Sequence, residues 1–223
     1  MQYYSPDPDY RLKEAQVLDC LRQAGQAPGS IVALFLDEVS YTAWPDLAFA
    51  YSDPAPQPAP VADRQQSRYR RMRIIGALDA LSGRVLVHQE GRIAGSVCAG
   101  FLQQVACAYP DAEHVYLIWD NWPVHHCHEV QAVLAQHRRL HAIALPTYAP
   151  WLNPIEKLWR KMRQEHTALH QLASDWKQLQ TRTQAFFEQF AHGSTELVRY
   201  VGLLGEGKQA AALRSSSLTD FGC

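Results

Sequence analysis

The stretch Ile31-Val-Ala-Leu-Phe-Leu36-Asp37-Glu38 decides how the rest of the chain is read. Six consecutive apolar residues describe a strand buried on both faces, and an acid closes it. The pattern returns at Val115-Tyr-Leu-Ile-Trp119-Asp120-Asn121. In open α/β sheets, function gathers beyond the carboxyl ends of the strands. If these two strands pair in parallel, Asp37 and Asp120 stand side by side. Two carboxylates held that close repel, which raises a pKa or demands a cation. Hard oxygen ligands suit magnesium or manganese.

Outward from these strands the chain falls into short elements. Asp9 to Gln23 reads as a helix, with Leu12, Ala15, Leu18 and Leu21 at helical spacing and Gly25, Pro28 and Gly29 ending it. Residues 40–51 carry aromatic and β-branched side chains and read as a second strand region. Residues 53–60 form a proline-rich extended loop. Arg71 to Leu78 and Arg84 to Gln89 read as two strands about a Ser82-Gly83 turn. Helices are expected at Gly95 to Tyr109 and Glu129 to Arg138, with a short strand at His141 to Leu145. Further helices are expected from Ile155 to Leu169, from Ser174 to Ala191 and after Thr195. This order predicts an α/β fold, a three-layer mixed sheet with helices on both faces.

Composition excludes several classes. With 223 residues and 47% hydrophobic content the chain can bury a core and is not disordered. No apolar run approaches the roughly 18 residues of a membrane helix, and the first residues lack a signal-peptide pattern. Five cysteines without a C-x-x-C fit reduced thiols and a cytoplasmic location. The net charge of −1 hides a gradient. Residues 1–63 hold three basic against nine acidic side chains, residues 64–170 hold 13 against eight, and residues 171–223 are balanced. Arg64, Arg68, Arg70, Arg71 and Arg73 fall within ten residues that contain no acid. Such a cluster is either a solvated edge or a phosphate-contacting one.

A third acid, Glu156, lies in Asn153-Pro-Ile-Glu156. Asn153 as N-cap, Pro154 at N1 and Glu156 at N3 also fit a capping box, which needs no metal. The helix that follows places Ile155, Leu158, Trp159, Met162 and Leu169 on one stripe and Lys157, Arg160, Lys161 and Arg163 elsewhere. Arg160 and Arg163 share a flank with Glu156, either as a helix ion pair or as phosphate contacts.

Three stretches together resemble the DDE transposases of bacterial insertion sequences in the Tc/mariner superfamily. They are Leu36-Asp37-Glu38, Trp119-Asp120-Asn121 with His125-His126, and Leu145-Pro-Thr-Tyr-Ala-Pro-Trp-Leu-Asn-Pro-Ile-Glu156-Lys-Leu-Trp159. The resemblance implies a ribonuclease-H-like mixed sheet over residues 31–205, after an N-terminal linker helix (1–30) and before a C-terminal tail (206–223). It implies a catalytic, metal-binding triad of Asp37, Asp120 and Glu156 holding two Mg²⁺ ions, for which Mn²⁺ can substitute. It implies DNA cleavage and strand transfer on double-stranded transposon ends and target, by a homodimer, with no membrane partner and near the nucleoid. Alternatives within reach are a ribonuclease-H-like nuclease without strand transfer and an inactive partner of a full-length transposase. Relatives carry helix-turn-helix modules ahead of this domain. Only about thirty residues precede the first strand here. The resemblance therefore implies a catalytic-domain fragment, one product of a split reading frame, or a degenerate copy.

The DNA-contacting set expected on this basis is Arg68, Arg70, Arg71, Arg73, Asn121, His125, His126, Lys157, Arg160, Lys161 and Arg163. The run His125-His126-Cys127-His128 is a poor zinc site, because consecutive residues point in different directions and structural zinc usually draws on two separated clusters. Trp119, Trp122 and Trp151 near the acids are core aromatics or stacking platforms for an unpaired base.

Overall fold

The computed structural model describes residues 5–46, 70–168 and 170–215. Arg64, Arg68, Leu169 and the proline-rich loop lie outside them. Helix α1 (Tyr10–Gln26) leads into β1 (Ile31–Thr42). A hairpin of β2 (Arg71–Asp79) and β3 (Val85–Glu90) is followed by α2 (Gly95–Ala108), β4 (His114–Trp119), α3 (His128–Gln136) and β5 (Leu140–Ala144). The chain closes with α4 (Ile155–Met162), α5 (Trp176–Glu188), α6 (Thr195–Val201) and α7 (Lys208–Arg214). The strands form one sheet in the order β3-β2-β1-β4-β5, antiparallel from β1 through β3 and parallel from β1 through β5. β1 is the central strand, which is why its first half reads as an unbroken apolar run.

The two-residue period of β1 divides the core. Ala33, Phe35, Val39 and Tyr41 face a cluster with α1, α4, α5 and α6. Val32, Leu34 and Leu36 face a second cluster with α2 and α3. The adjacent acids are split the same way, Asp37 towards α4 and Glu38 towards α2.

Three expectations change. The strand region read at 40–51 is not separate. Ser40, Tyr41 and Thr42 continue β1, while residues 47–51 lie outside the described residues. The helix expected to Leu169 runs regularly only to Met162 and then widens into a π turn over Arg163–Thr167. The Ala168 N–H reaches back to the Arg163 carbonyl, and Asp46 clamps the end by accepting from the Thr167 hydroxyl at 2.6 Å. The segment read as tail contains α7, which buries Ala210 and Leu213 and packs on α1. A Cβ on Gly25 would come 1.9 Å from the Leu213 carbonyl oxygen, so the helices meet only because residue 25 has no side chain.

Candidate active site

β1 and β4 pair in parallel with Phe35 opposite Ile118. Continued by two positions, that register sets Asp37 level with Asp120. From β5 the chain returns through Leu145-Pro-Thr-Tyr-Ala-Pro, anchored where the Leu145 N–H donates to the Trp119 carbonyl at 2.7 Å. It then enters α4 with Glu156 in the first turn. Asp37, Asp120, Glu156 and Asn121 thereby line one cavity of about 430 Å³, floored by Asn153 and walled by residues 145–150.

Each acid is held differently. Asp37 is half-buried, and its Oδ2 accepts the Trp159 indole N–H at 2.9 Å. Burial, then the charges of Glu156 and Glu38, push the Asp37 pKa up to about 7 against the pull of Trp159. The Asp120 carboxylate is 59% exposed, and its Oδ1 accepts the Trp122 N–H at 3.0 Å. Burial raises the Glu156 pKa, opposed by the Arg163 and Arg160 charges. Asn153 does not act as the expected N-cap. Its side chain makes no capping bond to α4; it is 5% exposed, and its amide donates to the Leu36 carbonyl at 3.4 Å. Among the described residues its buried Oδ1 then has no hydrogen-bond partner, and Asn153 lies in the cavity wall.

This donor set fits hard divalent cations. All three acids offer oxygen, burial first and neighbouring carboxylates after it raise the Asp37 and Glu156 pKa values, and among the described residues a buried amide oxygen lacks a donor. Among the described residues no three His, Cys, Asp or Glu side chains gather around one point as a metal cluster. A two-ion arrangement asks for less, because each ion then takes a pair of carboxylates and fills its remaining positions with substrate and water oxygens.

Trp159 reaches Asp37 by lying on the sheet face over a position that has no side chain. Gly76 on β2 pairs with Asp37, and a Cβ there would lie 2.5 Å from the Trp159 ring. Gly76→Ala is expected to cost about 1–3 kcal/mol through overpacking and to displace the indole from Asp37. Urea denaturation measures the first effect, and the titration of Asp37 by NMR measures the second.

The expected DNA-contacting residues separate into groups. His125 is corrected. It is 1% exposed, stacked on Trp119 at 4.2 Å, with Nε2 3.3 Å from Glu38 and Nδ1 3.1 Å from the Asp120 carbonyl. Burial alone would lower its pKa, but Glu38 and Asp120 outweigh that and raise it. It braces the strand end beneath Asp120, and its ring is covered on the surface where a phosphate contact was expected. His126 is exposed and lies 2.8 Å from the Asn121 side-chain oxygen. The Lys157 ammonium donates to the Val201 carbonyl at the end of α6, and Lys161 pairs with Glu165 and overlies Tyr200. Arg160 and Arg163 are exposed beside Glu156. Arg70 and Arg71 are exposed at the start of β2, and Arg73 lies towards Glu38 on the α2 side of the sheet.

The aromatic residues also sort. Trp119 is 4% exposed, Trp122 packs edge-on against His125, and Trp151 donates to the Tyr10 hydroxyl at 3.1 Å. The aromatic left open at the cavity is Tyr148, 78% exposed and unremarked in the sequence. In the sequence it stands only as one residue of the Leu145–Trp159 stretch, between Pro146 and Pro150.

A five-stranded mixed sheet between two helical layers, with acids from two parallel strands and a following helix meeting at one edge, defines a ribonuclease-H-like catalytic fold. The family model for DDE superfamily endonucleases matches residues 32–180, and the chain belongs to that family. It is 30% identical over 115 residues to the insertion element IS630 uncharacterized 39 kDa protein of Shigella sonnei, a match covering 52% of this chain and 33% of the relative. It thus spans about a third of that relative's length. The fold is shared with Mos1 transposase. Against the paired-end complex with the left transposon end, the TM-score is 0.57 at 18% identity, over 97% of this chain and 67% of the other. Against the isolated catalytic domain of Mos1 mariner transposase it is 0.51 at 14% identity, over 96% and 100%.

Proposed function

We propose that this DDE endonuclease domain carries out metal-dependent DNA strand cleavage and strand transfer in the movement of an insertion sequence. The observation that carries the reading is the single cavity lined by Asp37, Asp120 and Glu156. Mos1 transposase, which shares the fold, has been captured with Mn, with Mg, with a transposon end and in a strand transfer complex. By that analogy the substrates are double-stranded transposon ends and target DNA; the family resemblance adds a homodimer as the working unit and a separately encoded DNA-binding segment as its partner.

In this reading Asp37, Asp120 and Glu156 would together hold two Mg²⁺ ions, or Mn²⁺ in their place. Such ions, when bound, activate the attacking oxygen and stabilise the leaving one. The protein's own part is orientation. Trp159 fixes one oxygen of Asp37 and leaves the other for the cavity, and the Trp122 N–H does the same for Asp120. Arg160 and Arg163 offer planar, permanently charged guanidinium groups to a phosphate entering beside Glu156. Among the described residues no helix is long and apolar enough to cross a membrane.

The test is an oligonucleotide duplex carrying the element's end, incubated with the chain and Mg²⁺. Products both cleaved and joined to a target plasmid are expected. Cleavage without joining would mark a nuclease only, and neither product would mark an inactive partner.

A further inference from the structure

We infer that Tyr148 is a stacking platform for an unpaired DNA base next to the scissile phosphate, an inference that rests on the reading of the cavity as a DNA-cleaving site. Among the described residues, Tyr148 is the one non-glycine with positive φ, at 54°. The left-handed region costs an ordinary side chain of order 1–2 kcal/mol and is occupied only where the surroundings impose it.

The surroundings here are specific. The Thr147 N–H donates to Asp7 Oδ2 at 2.8 Å, and the Ser5 hydroxyl donates to the Thr147 carbonyl at 2.6 Å. Asp7 is itself buried and paired with Lys13 at 2.8 Å, which holds its carboxyl well below the usual carboxylate range. On the other side Ala149 is buried, and its carbonyl accepts from the Leu152 N–H, closing the turn that leads to Glu156. The chain is therefore pinned one residue before Tyr148 and one residue after it. What this clamping delivers to the fold is small, because the ring it presents is the most exposed of the large apolar side chains described. What it delivers to the cavity is a rigid aromatic face at the rim, on the wall shared with Asp37, Asp120 and Glu156.

The chemistry selects the ligand. A phosphodiester lying against the three acids carries a base on each side, about one nucleotide away. A base separated from its neighbour at that point needs a new face to stack on, and an aromatic ring supplies it for any base. Trp119, Trp122 and Trp151 are engaged in packing or hydrogen bonds, so the rim residue is the one placed to do it.

The experiment uses a duplex with a three-nucleotide single-stranded 3′ extension bearing 2-aminopurine, bound in Ca²⁺ to prevent cleavage. The wild-type chain should quench the fluorophore. Tyr148→Phe should keep the quench. Tyr148→Ala should lose it and bind the extended duplex roughly five- to 150-fold more weakly, with little change on a blunt duplex. Tyr148→Gly separates stacking from structure. Glycine relieves the φ cost and should raise Tm relative to Tyr148→Ala, yet it should bind as weakly. No quench by the wild-type chain, or wild-type quench and affinity in the alanine and glycine variants, overturns the inference. Mg²⁺-dependent nicking, scored separately, tells the two readings apart. Nicking with a Tyr148-independent quench sinks only the stacking role, and a Tyr148-dependent quench without nicking sinks only the cleavage reading.

Discussion

Asp37→Asn should raise the stability of the metal-free protein at pH 8 and leave it nearly unchanged near pH 4. The Asp37 carboxyl moves from an ordinary value of 3.8 to about 7 in the fold, chiefly through burial and then through Glu156 and Glu38. Between those values the folded state keeps a proton that the unfolded chain has released. The stabilisation associated with protonated Asp37 is therefore complete below about pH 4 and disappears as pH rises through about 7. Above that, folding must place a carboxylate among two others. The span corresponds to at most about 4 kcal/mol, and solvent screening of a half-buried group trims it. The asparagine amide keeps an oxygen for the Trp159 N–H and carries no charge. A gain of roughly 5 °C in Tm at pH 8 is expected for a chain of this size, shrinking to nothing at acid pH. Thermal melts in EDTA across this pH range measure it. Equal Tm differences at both ends would mean that Asp37 is not strained by its neighbours. Added Mg²⁺ should close the gap at pH 8 from the wild-type side, since a cation offsets the same repulsion and the asparagine variant has little to gain.

Burial, the main cause of the Asp37 shift, also decides which parts of the molecule were legible in the sequence. A strand buried on both faces announces itself as an apolar run, so Ile31–Leu36 and Val115–Trp119 were plain, and with them the acids that follow. Beyond Asp37, β1 passes to alternation, with Val39 and Tyr41 buried and Ser40 exposed. The change of pattern made one strand read as two. α7 escaped notice because it is short and buries only Ala210 and Leu213. The roles of His125 and Tyr148 depend on distant partners. Glu38, which His125 meets, is 87 residues away, and Ser5, which clamps the Tyr148 loop through Thr147, is 142 residues from its partner. No local pattern encodes such meetings. Asn153 shows the converse: its spacing fits a cap, but its side chain bonds to β1 across the fold.

The largest effect on activity is expected from Asp120→Asn, which should reduce Mg²⁺-dependent strand cleavage at least a thousandfold, about 4 kcal/mol of transition-state stabilisation. Asp120 sits at the open side of the cavity, and its carboxylate is the most accessible of the three. Accepting the Trp122 N–H passes unchanged to the asparagine oxygen, and the other side-chain contact, Oδ1 3.6 Å from His125 Nδ1, is an ion pair of a largely exposed carboxylate and adds little. The closer His125 contact, Nδ1 at 3.1 Å from the Asp120 main-chain carbonyl, survives the change. Thermal stability should therefore stay within about 0.5 kcal/mol of wild type, as for surface substitutions generally. DNA affinity measured in EDTA should hold or rise, since one negative charge leaves a surface that meets phosphate. Loss of cleavage with fold and binding intact separates a metal-holding carboxylate from a merely structural one. Cleavage of a supercoiled plasmid by purified Asp120→Asn protein at the wild-type rate would remove Asp120 from the triad, and with it the two-ion arrangement that Asp37 and Glu156 cannot complete alone.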